Sequence, residues 1–223
     1  MIKVVFCLPG KSFSNYFLES WSNLLYACPQ LEVKPAMRWA TSSNVYHVRN
    51  LCLMGQPELG KDQKVFNGQI DYDYIMWIDS DSVFTNKDFV KLLGQMENNK
   101  NIHILSGLYL KDGGKEYTAV LGLNSKYYEK HGKPKTLTPE DLRHKNKILK
   151  VDYTGMGFML VRRGVFESID YPWFQPMRLQ GSSGFIGFTG EDASFCLRAK
   201  EKGFDTYIDP TLVIGHEKSV ILR

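Results

Sequence analysis

The sequence from position 74 to 81 reads Tyr74-Ile75-Met76-Trp77-Ile78-Asp79-Ser80-Asp81. Five consecutive apolar or aromatic residues followed by two acids favour a strand that is buried on both faces, as in a parallel sheet covered by helices. The two carboxylates then lie at the carboxyl end of that strand. Ligand sites of open α/β sheets collect at this edge, so the stretch predicts both the fold class and the place of the site.

Apolar runs and helical patterns alternate on both sides of this stretch. Residues 2–8 and 33–39 have the pattern of strands, and residues 14–28 that of a helix ended by Pro29. A second helix is expected to begin at a Ser42-Ser43 cap and to run to Gly55. The other expected elements are helices at 86–98 and 193–202, a strand pair or hairpin at 102–110 and 118–123, a loop or flap at 124–148, and strands at 151–162 and 206–208. This alternation predicts an α/β fold with a Rossmann-like, mostly parallel central sheet flanked by helices and a small additional antiparallel sheet or flap.

Length and charge narrow the classes of protein. With 223 residues, of which 43% are hydrophobic, the chain can form one compact domain, and its length also fits one part of a longer multidomain chain. Lys plus Arg exceed Asp plus Glu by 28 − 24, or +4, and they are scattered along the chain. This distribution suits an enzyme with an anionic substrate and argues against a nucleic-acid partner, which would favour a basic patch.

The location of the protein is predicted from what the sequence lacks. No apolar run approaches the roughly 18 residues of a transmembrane segment, and the N-terminus does not resemble a signal peptide. The four cysteines stand singly in hydrophobic surroundings, without the close spacing of a zinc or redox site. We therefore expect a cytoplasmic protein whose cysteines are small buried side chains.

Two acidic pairs are candidates for chemistry. Asp79 and Asp81 are separated by a small serine, and oxygen pairs of this kind bind Mg²⁺ or Mn²⁺, although the spacing also occurs on solvated turns. Glu191 and Asp192 begin a predicted helix. There they either supply a general base or only interact favourably with the positive end of the helix dipole.

Four motifs in order resemble the glycosyltransferases of the GT-A fold. They are Pro9-Gly10 after the first strand, Tyr46-His47-Val48-Arg49-Asn50, the stretch 74–81 with its Asp-x-Asp motif, and Gly190-Glu191-Asp192 followed by Gly215-His216. In size and layout the chain is also similar to the small glycosyltransferases encoded by large algal (chlorella) viruses. The resemblance implies a single GT-A domain with a nucleotide-binding half at 1–100 and an acceptor-binding half at 101–223. For a viral protein, it implies the host cytoplasm.

The resemblance also implies roles for individual residues. Asp81 and His216 would bind Mn²⁺ or Mg²⁺. Asp79 would bind either the same ion or the ribose of the nucleotide. Asp192 would be the base of an inverting hexosyl transfer, and Glu191 is the neighbour that could exchange roles with it. The residues implied to contact the UDP-sugar donor are Pro9, Gly10, Arg49, Asn50, Asp79 and Ser80.

On the acceptor side, the resemblance implies a glycan, a glycoprotein or another hydroxyl compound. The segment 154–158, with Gly155 and Gly157, resembles the acceptor-side loop of the family, although a simple turn explains it equally well. Aromatic side chains around a mobile loop at 181–190 are candidates for a surface that stacks on sugars. These are Trp173, Phe174, Phe185 and Phe188.

Two other functions stay open at this point. A sugar nucleotidyltransferase also uses paired carboxylates and a metal, but it needs a Gly-rich phosphate loop, and Pro9-Gly10-Lys11 is shorter than such a loop. A non-catalytic carbohydrate-binding protein on a decayed transferase fold would lack either the metal-binding residues or the base, and the sequence retains candidates for both.

Overall fold

The computed structural model of the chain describes residues 1–111, 113–182 and 184–218. Its strands are β1 (Ile2–Pro9), β2 (Val33–Ala40), β3 (Tyr74–Ile78), β4 (Ser82–Val83), β5 (Ile104–Leu108), β6 (Leu149–Val151), β7 (Phe158–Arg162), β8 (Arg178–Gly181), β9 (Gly184–Phe188), β10 (Thr206–Val213) and β11 (Gly215–His216). Its α-helices are α1 (Asn15–Ala27), α2 (Val45–Cys52), α3 (Asn86–Asn98), α4 (Ser125–His131), α5 (Pro139–Leu142) and α6 (Glu191–Glu201). Short 3₁₀ helices occur at Pro57–Leu59, Val65–Gly68 and Phe166–Ser168.

Seven of these strands form one central sheet in the order β2-β1-β3-β7-β5-β10-β6. Strand β1 is parallel to β2 and β3, and β5 is parallel to β10. Strand β7 lies between β3 and β5 and is antiparallel to both, while β6 is an antiparallel edge strand beside β10. The sheet is therefore mostly parallel, as predicted, and strands from both predicted halves of the chain contribute to it. Two small antiparallel pairs, β4–β11 and β8–β9, complete the fold.

Burial on both faces of the sheet explains the apolar sequence of β3. All five of its residues are buried. Ile75 and Trp77 belong to the core on the α2 side, whereas Tyr74, Met76 and Ile78 belong to the core on the side of α1 and α3. Because successive side chains of a strand point to opposite faces, a strand between two cores has no polar position until it ends.

The first two helices each begin after a polar residue that caps them. Ser14 caps α1, and its hydroxyl accepts a hydrogen bond from the Phe17 N–H at 3.1 Å. Helix α2 is capped by Asn44, directly after the serine pair at 42–43 where the helix was expected to begin: the Asn44 side-chain oxygen accepts from the Tyr46 N–H at 2.9 Å and from the His47 N–H at 3.2 Å. The Asn44 carboxamide satisfies two free N–H groups of the first turn, which explains why the helix begins there.

The segment between β5 and β7 differs from the prediction. Residues 118–123 form no strand, and only isolated bridges hold them, such as Val120 to Tyr153. The predicted loop at 124–148 contains α4 and α5. Helix α5 begins with a capping box between Thr138 and Asp141, a local signal that does not depend on hydrophobic periodicity. The predicted loop at 181–190 is largely the hairpin β8–β9.

The four cysteines are free and buried, as expected. Burial raises the pKa of the Cys7 thiol well above its usual value, and the same effect raises that of Cys196 to about 12. No helix among the described residues has both the length and the apolar character needed to cross a membrane.

Candidate functional site

The candidate site lies at the carboxyl ends of β1 and β3. The two-residue strand β4, directly after Asp81, pairs with β11 near the C-terminus, so that His216 lies opposite Ser82. The Glu217 N–H continues this ladder by donating to the backbone oxygen of Asp81 at 2.8 Å. This short pairing brings His216 to Asp81, 135 positions earlier in the chain.

The Asp81 carboxylate and the His216 ring are in direct contact. The distance from Asp81 Oδ2 to His216 Nε2 is 3.1 Å, and His216 Nδ1 lies 2.7 Å from the backbone oxygen of Leu110. Because a carbonyl oxygen only accepts, Nδ1 carries a proton. In a neutral imidazole, Nε2 then directs its lone pair at the Asp81 oxygen. Such a pair of acceptors requires a proton or a metal ion between them.

A buried arginine joins the second acid of the motif to helix α6. Arg49 is only 3% exposed. Its Nη2 lies 3.1 Å from Asp79 Oδ1, its Nε donates to Glu191 Oε1 at 3.0 Å, and its Cζ lies 5.4 Å from the centroid of the Trp77 ring. Its Nη1 is buried without a hydrogen-bond partner among the described residues. Arg49 thus links α2, the end of β3 and the start of α6.

Several carboxylates surround the single guanidinium of Arg49, and their mutual repulsion changes their pKa values. Burial raises the pKa of Asp79, and the negative charges of Glu191 and Asp81 raise it further, against the effect of Arg49. Burial alone would lower the pKa of Arg49, but Asp79 and Glu191 raise it above its usual value. The guanidinium therefore stays charged, and the surrounding site carries excess negative charge that favours a cation.

Asp192 lies in the first turn of α6, after the Gly190 N-cap. Its Oδ1 accepts a hydrogen bond from the Ala193 N–H at 2.6 Å. Burial raises its pKa to about 6, with the charge of Glu191 as the next cause. A carboxylate with a pKa close to neutrality can accept a proton more readily than an exposed aspartate.

Of the residues predicted to contact the donor, Gly10 and Ser80 lie together at the edge of the sheet, whereas Asn50 is buried. A β-carbon added to Gly10 would lie 2.7 Å from Ser80 Oγ, so the ends of β1 and β3 approach closely only because position 10 is glycine. Asn50 is buried, and its side chain bonds to the backbone of Tyr46 and Phe174. Its hydrogen bonds are therefore structural.

An apolar cavity of about 370 Å³ opens beside Gly10, between α1 and the edge strand β2. It is lined by side chains that include Phe13, Trp21 and Trp39, with Lys11 and Thr41 among its few polar residues. Sequence reasoning did not identify this cavity, because α1 and β2 each have ordinary patterns and the space arises from how they pack.

The predicted aromatic surface is only partly available. Trp173 and Phe174 are buried in the core around Trp77, and therefore cannot stack on a sugar. Phe185 and Phe188 are exposed on the hairpin β8–β9 and contact each other with ring centroids 5.1 Å apart. The second pair remains available for a ligand.

Tyr109 is a site residue that the sequence did not indicate. Its ring lies edge-on to His216, with centroids 5.0 Å apart, and its hydroxyl accepts a hydrogen bond from the Gly157 N–H at 3.1 Å. The glycines at 155 and 157 make room for this ring. Tyr109 directly follows β5 and precedes Gly157 by 48 positions. The two glycines in the sequence therefore gave no indication that a tyrosine packs against them.

Two of the three predicted metal ligands are arranged as a divalent cation requires, and the third is not. Across residues 1–111, 113–182 and 184–218, no three His, Cys, Asp or Glu side chains form a cluster suited to a metal ion. Asp81 and His216 have the right contact, since two neighbouring ligands on an octahedral ion with bonds of about 2.1 Å lie about 3 Å apart. Asp79 instead pairs with Arg49. Among the described residues, Asp81 and His216 are therefore the pair of side chains whose geometry suits a divalent cation.

Comparisons with known proteins agree with this architecture. No family model matches the sequence, and no relative is found among the curated proteins. Among solved structures, the chain is similar to A197 from STIV, with a TM-score of 0.53, 16% identity and coverage of 100% of this chain and 97% of that one. It is also similar to the catalytic domain of Drosophila beta1,4-galactosyltransferase 7 in complex with xylobiose (TM-score 0.51, 16% identity, 98% and 72% coverage).

A mutant of the same Drosophila enzyme was solved with manganese, UDP-Gal and xylobiose, and gives a TM-score of 0.52 at 14% identity, with coverage of 98% of this chain and 72% of that one. Identities this low are informative about the fold alone. The central sheet, its flanking helices and the small antiparallel pairs match these structures. The fold of the chain is therefore the predicted GT-A type.

Proposed function

We propose that the chain is a metal-dependent glycosyltransferase that moves a sugar, of the hexose type, from a UDP-sugar to a hydroxyl group of a glycan or glycoprotein. The observation that supports it most directly is the contact between Asp81 Oδ2 and His216 Nε2 at 3.1 Å. Two side chains of types that bind metal ions, from distant parts of the chain, meet there, at the sheet edge where α/β folds bind their ligands. The similar Drosophila structure with manganese and UDP-Gal supports the same class of chemistry.

In this proposal, Asp81 and His216 hold Mn²⁺ or Mg²⁺ against the donor diphosphate. Asp79 contacts either the ion or the ribose, and doing so changes its pairing with Arg49. When bound, the ion supplies Lewis-acid stabilisation of the charge that develops on the departing nucleoside diphosphate. Gly10 and Ser80 form the adjoining floor on which the nucleotide lies, next to Pro9 at the end of β1.

Asp192 is the general base of the proposed reaction. The Glu191 carboxylate already accepts a hydrogen bond from Arg49, with Oε1 3.0 Å from Nε. Among the described residues, the Asp192 carboxylate accepts a hydrogen bond only from the N–H of its neighbour Ala193. The ionised Asp192 takes the proton from the acceptor hydroxyl as the oxygen attacks the sugar, which inverts the anomeric configuration. This division assigns the structural role to Glu191 and the chemical role to Asp192.

The proposal includes the closer resemblance to the algal-virus enzymes and, with it, a location in the host cytoplasm. The alternative of a non-catalytic carbohydrate-binding protein shares the fold but predicts no turnover. Release of UDP from a panel of UDP-sugars distinguishes the two, because only the transferase produces UDP at a rate that depends on Asp192.

Calorimetric titration with UDP, with and without Mn²⁺, tests the proposal. We expect the wild-type protein to bind UDP only with Mn²⁺, and Asp81→Ala to weaken this binding at least about tenfold, because it removes a metal ligand. Asp62→Ala, which removes an exposed carboxylate from a loop, is the control and should bind like the wild type. Circular dichroism would verify that Asp81→Ala is folded. A folded wild-type protein that binds no UDP under either condition would refute the proposal.

A further inference from the structure

The edge strand β2 has backbone groups that point away from the sheet. In the part of the chain that the structure describes, β2 pairs only with β1, so its second edge is open. The Ala40 oxygen accepts from the Gly10 N–H at 3.1 Å, which directs the even-numbered residues of β2 toward β1. Because backbone groups alternate in direction along a strand, the odd-numbered residues direct theirs outward. Met37 and Trp39 are the outward-directed residues in the second half of the strand.

Only this second half of the edge is available for pairing. At the start of β2, the Val33 N–H donates to the Cys28 oxygen at 2.9 Å, and Pro35 has no N–H group. The backbone groups of Met37 and Trp39, by contrast, form no hydrogen bond with any described residue. An open strand edge is a template for pairing with another strand, and proteins commonly protect it with charged side chains. The open positions of β2 carry apolar side chains instead.

These apolar side chains form an exposed surface with part of helix α1. Met37 is 49% exposed and Trp39 is 59% exposed, and both line the cavity of about 370 Å³ next to α1. Phe13 and Leu18 line the same cavity and are also exposed. Exposed apolar side chains gathered around one cavity indicate an interaction surface. We call these four residues and the open backbone groups the β2 edge surface.

The open backbone groups determine what kind of partner can cover the β2 edge surface. A lipid surface would bury the N–H and C=O groups of Met37 and Trp39 without supplying hydrogen-bond partners, which is costly for each group. An extended strand supplies those partners and covers the neighbouring side chains at the same time, as in recognition by strand addition. The surface therefore fits a strand of polypeptide.

The sequence of β2 is complementary to itself when two copies run antiparallel about Met37. The opposite pairs are then Met37–Met37, Arg38–Ala36, Trp39–Pro35 and Ala40–Lys34. Each basic side chain lies opposite an alanine, so no like charges face each other. A register centred on Arg38 would place two guanidinium groups opposite each other, which is destabilising. A register centred on Trp39 would pair fewer residues of the strand, because β2 ends at Ala40.

We propose that the chain forms a two-fold symmetric dimer by antiparallel pairing of β2 with β2 of a second copy, centred on Met37. The two Met37 residues exchange their N–H···O bonds, and each Trp39 N–H donates to the Pro35 oxygen of the other copy. The two seven-stranded sheets then become continuous. A two-fold axis requires the same surface on both copies, which the self-complementary strand provides. The inference is independent of the proposed function.

Sedimentation velocity over a range of protein concentrations tests the dimer. A short strand pair buries less than the about 800 Å² per partner of a standard interface, so we expect a Kd of about 1–100 µM. Trp39→Lys places a charge at the open edge and should raise this Kd at least about tenfold. Tyr26→Lys is the matched control: Tyr26 is 81% exposed on α1, lies outside the cavity, and should dimerise like the wild type. Circular dichroism verifies that both variants are folded.

Disulfide cross-linking tests the register. The four native cysteines are buried, so a cysteine at position 37 supplies an accessible thiol. The Cα atoms of a hydrogen-bonded antiparallel pair lie about 5.5 Å apart, which suits a disulfide. Met37→Cys should therefore form a covalent dimer with oxidised glutathione. Trp39→Cys should not, because its two thiols would lie four residues out of register, about 13 Å apart.

Each other outcome overturns the proposal. A wild-type protein that remains monomeric at about 300 µM would do so, as would a dimer that Trp39→Lys leaves unchanged. Cross-linking of Trp39→Cys without cross-linking of Met37→Cys would exclude the pairing about Met37. A monomer that binds phosphatidylglycerol vesicles, and loses this binding in Trp39→Lys, would show that lipid and not a second copy covers the β2 edge surface.

Discussion

Tyr109 and Gly157 form a matched pair. The Gly157 N–H donates to the Tyr109 hydroxyl at 3.1 Å, and a β-carbon at Gly157 would lie 2.8 Å from Cε1 of the same ring. The ring in turn lies edge-on to His216. The glycine is therefore part of the support of the candidate metal ligand.

The first prediction concerns this support. Gly157→Ala should lower the free energy of unfolding by about 1–3 kcal/mol, because the new methyl group overpacks a buried aromatic ring. Denaturant unfolding measures it, with Gly94→Ala as control: nothing lies within 4 Å of a β-carbon at Gly94 in helix α3, so alanine there should be neutral or stabilising by up to about 1 kcal/mol. Equal destabilisation by both substitutions would contradict the role given to Tyr109.

The second prediction concerns the base. Asp192→Asn should reduce the rate of sugar transfer by about 10²–10⁴-fold while leaving UDP–Mn²⁺ affinity within a few fold, since general-base catalysis acts in the transition state. Transfer is followed through UDP release with a panel of UDP-sugars and acceptors. Asn is nearly the same size as Asp and keeps an oxygen for the Ala193 N–H. Activity close to wild type would exclude Asp192 as the base.

The third prediction follows from the pKa of Asp192, which is raised to about 6. Because the ionised form accepts the proton, kcat/KM should rise with pH up to about 6 and then level off. Glu191→Gln removes the second cause of the shift, so the inflection should move to lower pH. A profile that is flat from pH 4 to pH 8 would be incompatible with this assignment.

The same shift predicts a dependence of stability on pH. Asp192 binds its proton more tightly in the folded than in the unfolded protein, since its pKa rises from 3.8 to about 6. Its contribution to the free energy of unfolding is therefore present at acid pH and lost as the pH rises through this window. At pH 7, Asp192→Asn should be more stable than the wild type by at most about 3 kcal/mol, and the two should converge near pH 4. Urea titrations at several pH values measure the difference.

The last prediction concerns Arg49, which pairs with Asp79 and Glu191. Arg49→Met leaves two partly buried carboxylates without their counter-ion and should cost about 3–5 kcal/mol of stability. Arg143→Met is the control, because its ion pair with Glu140 is on the surface and should contribute less than about 1 kcal/mol. If the two substitutions had similar effects on the denaturation midpoint, the link between α2 and α6 would not be structural.

Local patterns predicted most of the central sheet because burial on both faces leaves a distinctive sequence. The five buried residues of β3 are an example, and the acids that follow this strand lie at the carboxyl edge of the sheet, as expected. Of the strand pair predicted at 102–110 and 118–123, the first strand is present as β5, but the second was wrong because the chain there pairs through isolated bridges.

The details of the site depend on contacts that no local pattern contains. The resemblance to GT-A enzymes implied that Asp81 and His216 share a function, and the structure places them 3.1 Å apart. The Leu110 carbonyl, which contacts the other ring nitrogen of His216, is distant in the chain. Arg49 was predicted to contact the UDP-sugar donor, and in the structure it forms buried ion pairs with Asp79 and Glu191. The close spacing of Glu191 and Asp192 left their roles interchangeable, and our proposal separates them by the contact of Glu191 with Arg49.

Strand β7 has a consequence for synthesis of the protein. It inserts between β3 and β5, so one edge of β3 is unpaired until residue 162 has been made. At about 5–20 residues per second, the ribosome needs on the order of several seconds to add the residues from 78 to 162. During that interval a fully apolar strand edge is open to pairing with other chains. The strand that closes the sheet thus leaves the first half of the nascent chain prone to aggregation while the second half is still being translated.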